Sequence, residues 1–193
     1  MPEEYLLYSG RCPSCGADKF VSKIRVDDVP YLGRILEFIS FCNVCSFRSI
    51  NVSAMDVKKP TRFQAKIKGE KGLKVRVVRS NTGVLRIPEL GVRIDPGPAC
   101  QGFVSNVEGV LHRVMEIADL LEMDSEGIER ERVIELRNKI KLALNGKLEF
   151  TLIVEDPFGN SGLYSDEEYP IDREELSEEE ANVLKRTIGI EVY

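Results

Sequence analysis

Four cysteines carry the chemistry that can be read first: Cys12 and Cys15 form one Cys-x-x-Cys pair, and Cys42 and Cys45 form a second. Each such turn can aim two sulfurs at one point about 2.3 Å away, so two turns offer a closed tetrahedral shell for one zinc ion. The 26 residues between Cys15 and Cys42 are more than the roughly 15 to 20 usual between such pairs, which calls for an extended hairpin between the turns. Four thiolates leave no open position for water or substrate, so the zinc is expected to be structural and to fold its module. A pair of disulfides is disfavoured by a reducing compartment, and a redox motif by the lack of a βαβ pattern around either pair.

Other reactive side chains are sparse. His112 is the sole histidine, so a Ser-His-Asp or Cys-His arrangement would have to be built on it, and it reads as a surface or boundary residue. Cys100, beside Pro98 and Ala99, reads as a small packed residue. No Gly-x-x-x-x-Gly-Lys-Ser/Thr loop is present to cradle a nucleotide. The chain is therefore expected to bind rather than to catalyse.

The elements that must position the sulfurs are β-strands. Tyr5–Ser9 is extended, Lys19–Val29 reads as a strand up to a break at Pro30, and Ile35–Phe41 is a second apolar run leading into the second cysteine pair. From Arg62 to Ile94 apolar residues alternate with Lys and Arg, as in Phe63, Ala65, Ile67 and then Leu73, Val75, Val77, the period of half-buried strands. Val107, Val110, Leu111, Val114, Ile117, Ala118 and Leu121 instead recur every three or four residues, the stripe of an amphipathic helix. A second helix is expected from an N-cap at Ser125, with Ile128, Val133, Leu136, Ile140 and Leu144 as its stripe and Gly146 as its end. So short a link predicts an antiparallel helical hairpin. Leu148–Val154 returns to strand character and is expected to close the sheet, and the dense turn Asp156–Gly162 follows it. Ser177 and Glu180 form a capping box for a short terminal helix.

Charge is unevenly spread. The net charge is +1 over 1–60, +3 over 61–145 and −9 over 146–193. Residues 58–93 hold eleven basic side chains against Glu70 and Glu89, a stretch that could meet the phosphates of a nucleic acid if the acidic segment does not fold back onto it. No run approaches the roughly 20 apolar residues of a membrane span, and the first residues lack the pattern of a secretory signal, which predicts a cytoplasmic protein without a membrane partner.

Five motifs in order give the chain a resemblance: Cys12-Pro-Ser-Cys-Gly16, Cys42 to Ser49, Arg86-Ile-Pro-Glu-Leu90 with Val92 to Ile94, Val107-Glu-Gly-Val-Leu111, and Asp156-Pro-Phe-Gly-Asn-Ser161. Through them the sequence resembles the ZPR-one type zinc-finger proteins over nearly its whole length, as a single-unit, archaeal-like member. Ser46 follows Cys45 where that family favours glycine, and Ser105-Asn106 stands where threonines are usual. The resemblance implies an α+β, mainly β chain, with a four-cysteine zinc-ribbon-like finger followed by a double-stranded β-helix-like domain with an inserted helical hairpin. The expected division is a finger at 1–57 and a β domain at 58–193, with the hairpin at about 105–146 and an acidic C-terminal segment at 165–193. It also implies a partner, the translation elongation factor one-alpha, the GTPase that delivers aminoacyl-tRNA, which the chain would bind and help to fold. Glu89, Glu108, Asp156 and Asn160 lie in the family-like motifs as candidate partner-binding residues, with turn and helix-cap chemistry as their alternative role. A nucleic-acid-binding zinc ribbon protein using the basic 58–93 stretch is the alternative reading of function.

Overall fold

The computed structural model describes residues 3–29, 33–56, 58–97 and 102–187; Cys100 lies outside them. β1 (Glu3–Gly10), β2 (Phe20–Val29), β3 (Gly33–Cys42) and β4 (Arg48–Ala54) form one antiparallel sheet in sequence order. The β2–β3 ladder runs unbroken from Phe20 opposite Cys42 to Val29 opposite Gly33, so an extended hairpin does fill the long gap between the cysteine pairs. Burial here is thin. Among the described side chains of residues 4–56, only Cys12, Ile35 and Cys42 are buried.

The second body is built from two facing sheets. β5 (Thr61–Ile67), β7 (Val84–Ile87), β8 (Val92–Ile94), β10 (Phe150–Asp156) and β12 (Asp172–Glu175) form a five-stranded sheet in the order β12-β5-β10-β7-β8. β6 (Arg76–Arg79), β9 (Phe103–Asn106) and β11 (Gly162–Tyr164) form the other, in the order β11-β6-β9. Alternation in β5 sends Phe63, Ala65 and Ile67 inward and leaves Arg62, Gln64 and Lys66 outside. These side chains join Leu85, Ile87, Leu152, Val154, Val77 and Leu163 in one core. β10 does not close the sheet as expected but lies at its centre, between β5 and β7. A strand buried along its length suits a central position, because both of its ladders are then satisfied.

The period-two reading of 62–94 is corrected in two places. α1 (Gly69–Leu73) interrupts it, and so does a 3-10 turn at Pro88–Leu90. Leu73 is buried as the alternation requires, but from a helical turn. Gly72 permits that turn, since a Cβ there would stand 2.9 Å from the Ile67 side chain and 2.7 Å from the Tyr169 hydroxyl.

β9 runs directly into α2 (Val107–Asp124), whose first turn is capped by Asn106 accepting from the Gly109 N–H at 2.8 Å. α3 (Gly127–Leu144) returns beside it, giving the expected hairpin. Val107, Val110, Leu111, Val114, Ile140 and Ala143 enter the core, whereas Ile117, Leu121 and Ile128 are exposed. Ser125 does not cap α3. It ends α2, its hydroxyl donating to the Leu121 carbonyl at 2.6 Å, because a helix end leaves carbonyls unsatisfied and a hydroxyl four residues on can reach one.

Asp156-Pro-Phe-Gly-Asn-Ser161 clamps the segment that joins the two bodies. The Phe158 carbonyl accepts from the Lys58 N–H at 2.9 Å, and the Asn160 amide donates to the Asp56 carbonyl at 2.7 Å. Gly159, at φ +65°, allows this approach: a Cβ there would lie 2.2 Å from the Lys59 carbonyl oxygen. Gly159→Ala should therefore cost about 2 to 4 kcal/mol in urea unfolding, combining left-handed strain with a backbone clash.

Glu89, in the 3-10 turn, accepts from the Thr151 N–H at 3.0 Å and the Thr151 hydroxyl at 2.7 Å, tying the turn to β10. Burial acts to raise its pKa, but these bonds bring it below the ordinary 4.5. A lowered folded value means stability that is present above the unfolded pKa and lost as pH falls through the folded one. The urea midpoint of Glu89→Gln should lie below that of the parent by a constant margin above about pH 5, and the margin should close below the ordinary carboxylate pKa.

Candidate metal centre

The two cysteine turns are built alike. In the first, the Cys12 N–H donates to the Ala17 carbonyl at 2.9 Å, and in the second the Cys42 N–H donates to the Phe47 carbonyl at 3.0 Å. In each, the N–H two residues on points at the first sulfur: Ser14 to Cys12 Sγ and Val44 to Cys42 Sγ, both at 3.4 Å. Gly16 completes its turn at φ +75°. Ser46 holds the matching place in the second turn, and among the described residues Glu168 is the one non-glycine with positive φ, so the serine sits there without left-handed backbone.

The β2–β3 ladder carries the second turn to the first, and all four sulfurs come within 4.8 Å of one another. Cys12 and Cys45 are 3.8 Å apart, and Cys15 and Cys42 are 3.7 Å apart. A tetrahedron with zinc–sulfur bonds of about 2.3 Å has edges of about 3.8 Å, so the donor set fits one zinc ion in both chemistry and size. Cys12 and Cys42 are buried, Cys15 is exposed and Cys45 intermediate, so each turn offers one inner and one outer sulfur.

As thiols, Cys42 and Cys15 do not titrate alike. Backbone N–H groups of Cys45 and Val44 bring Cys42 down to about 7. Cys15 is lowered by the Ala17 backbone, yet the neighbouring sulfurs, Cys45 first, push it up to about 12. Zinc would replace these shared protons with four bonds that join the first turn to the second.

The partner-binding candidates do not gather into one site. Glu108 is exposed in the first turn of α2. Glu89 is held by Thr151. Asp156 is fully buried and accepts from the hydroxyls of Ser80, Thr82 and Ser161 and from the Phe158 N–H, at 2.6 to 2.9 Å. Asn160 is buried against the joining segment. His112 is exposed on α2.

The acidic segment does fold back onto the basic one. β12 adds to the edge of the sheet beside β5, and α4 (Glu178–Thr187) follows through the expected capping box, the Ser177 N–H donating to Glu180 at 3.0 Å. Arg62 meets Glu155, Glu174 and Glu180 at 2.5 to 3.0 Å. Lys59 pairs with Glu175, Lys71 with Glu167 and Arg76 with Asp166. With Lys66 and Lys68 on Glu149, Arg86 on Glu155 and Arg93 on Asp95, at least eight of the eleven basic side chains of 58–93 have a carboxylate partner among the described residues. Exposed pairs of this kind are individually weak, but together they neutralise the stretch on which a polyanion would have to settle. Among the described residues no helix is long and apolar enough to cross a membrane.

A sheet that buries so little should depend on its metal. Chelation of zinc, or Cys42→Ser, should abolish amide-exchange protection in β1–β4 and leave it in β5 and β10; metal binding of this class contributes about 10 kcal/mol or more to folding.

Residues 71–185 match the family model described as the ZPR1 jelly-roll domain, in keeping with the two facing sheets. An uncharacterised ZPR1-like protein of Methanocaldococcus jannaschii is 44% identical over 181 residues, covering 93% of this chain and 90% of that protein. One from Pyrococcus horikoshii is 35% identical over 182 residues, covering 92% and 80%. The zinc finger chaperone of Schizosaccharomyces pombe is 25% identical over 169 residues, covering 84% of this chain and 36% of its own longer one. Because the two longer matches run through the cysteine sheet and the paired sheets alike, the chain belongs to the ZPR1 family.

Proposed function

We propose that the protein is a zinc-dependent binding and folding factor, not an enzyme, and that its client is the translation elongation factor one-alpha. What carries the reading is the four-sulfur site in a sheet that buries little else, in a family with a zinc finger chaperone among its members. A closed sulfur shell offers no position for substrate, so zinc serves by holding a binding surface in shape. We take residues 1–57 as the finger and 58–193 as the β domain with its hairpin and acidic segment, and Glu108 as the partner-facing member of the four acidic and amide candidates, because it is exposed, whereas Asp156 and Asn160 are buried and Glu89 is held by Thr151.

Refolding of purified, denatured elongation factor one-alpha tests this directly. The zinc-loaded chain should raise the recovered nucleotide-binding fraction in proportion to its concentration, and the Cys42→Ser variant should not. Equal recovery with and without the zinc-loaded chain would refute the proposal.

A further inference from the structure

The finger sheet has two unlike faces. Residues opposite each other in a ladder share a face. Glu4, Arg25 and Glu37 stand in one row, and Leu6, Lys23 and Ile39 in the next, so one face is charged; Arg25 and Glu37 pair across it. Ile35 lies on that face and packs against Val78 and Tyr164 of the second body.

The other face carries Tyr5, Ile24 and Phe38 in one row and Tyr8, Ser22 and Ser40 in the next; beyond the Tyr5 row on the same face, Glu3 stands in line with Val26 and Leu36, and Asp28 opposite Arg34. No Lys, Arg, Asp or Glu stands in the rows of the two tyrosines on β1–β3. In a chain with 31% charged residues two such rows side by side are unusual. The bulge between Leu6 and Tyr8 creates the pair: by adding one residue it turns Tyr8 to the side of Tyr5, where its ring lies 6.0 Å from that of Phe20. The Ser22 and Ser40 hydroxyls bond each other at 3.0 Å, which removes their demand for water.

This face lies at the rim of the sheet. β1 is an edge strand, and Tyr5, Leu6, Leu7 and Tyr8 are each more than half exposed. Consecutive large apolar side chains on an open edge invite another strand, and tyrosines give large contact area at small entropic cost. Over these two rows a charged occupant would bury its charge opposite no counter-charge, which is costly. A second copy fits poorly, because β1 paired antiparallel with itself about Leu7 would set bulge against bulge and break the ladder.

We infer that these two uncharged rows, with β1 as their rim, bind an extended, uncharged apolar segment of another polypeptide, of the kind a protein exposes before it has folded. The inference rests on the folding-factor reading above and gives that function its contact surface. Main-chain pairing along an edge is indifferent to sequence, and shallow pockets between alternate side chains give preference for apolar residues.

Fluorescence anisotropy with the full zinc-loaded chain tests it. The probes are two dye-labelled ten-residue peptides, one alternating valine with serine and one alternating valine with glutamate. The uncharged peptide should bind saturably and the charged one about tenfold more weakly or worse. Tyr5→Lys and Phe38→Lys, both at exposed positions, should each lower affinity about tenfold with zinc content unchanged, while Leu6→Lys on the opposite face should bind as the parent does. Absence of saturable binding by the parent overturns the inference, as does equal binding by all three variants. A dimer in sedimentation equilibrium that Tyr5→Lys dissociates and the peptide does not displace would overturn it in favour of a second copy. Should the parent and Phe38→Lys assist client refolding equally, the surface is wrong and the function stands; should neither assist, the function fails whatever the peptide does.

Discussion

Four sulfurs at the corners of a tetrahedron are the constraint on which the first third of the chain depends. A sheet of four strands with Ile35 as its one buried non-cysteine side chain among those described gains little from the hydrophobic effect. Its ladders satisfy backbone groups but do not offset the entropy of ordering them. The metal closes this gap from the end where β1 leads into β2 and β3 leads into β4. A module held at one end by coordination can leave both of its faces largely open, which a module held by its own core cannot. Openness and zinc dependence thus have one cause.

The second body solves the opposite problem. Its two sheets and the hairpin share a closed apolar core, so its surface is shaped by charge. Within the segment of net charge −9, β12 is laid along β5, and Leu176, Ala181 and Leu184 secure α4 beside it by burial. The basic strand and its acidic cover form a largely self-neutralised edge. Phosphate binding would have to displace carboxylates already in place, which weighs against the nucleic-acid reading of 58–93.

Spacing and periodicity made much of this legible. Two Cys-x-x-Cys pairs announce a joint site because ligand geometry constrains sequence locally, and helix stripes announce the hairpin because burial repeats with the backbone. What escaped depended on contacts distant in sequence. The turn of Gly69–Leu73 hides in an alternating pattern because Leu73 is buried either way. Ser125 is a good cap in isolation, but its hydroxyl lay nearer the preceding helix than the following one. Asp156 read as a turn residue, yet three hydroxyls converge on it, two of them from residues 80 and 82. The two uncharged rows of the finger could not be read at all from alternation, since the bulge in β1 shifts Tyr8 across the pleat and only the ladder register reveals them.

X-ray absorption at the zinc edge of the purified full chain tests the four-sulfur site itself. One zinc per chain should be found, surrounded by four sulfurs at about 2.3 Å and no nitrogen or oxygen neighbour. A shell containing oxygen or nitrogen, or a protein recovered with its cysteines joined as disulfides and no bound zinc, would contradict it.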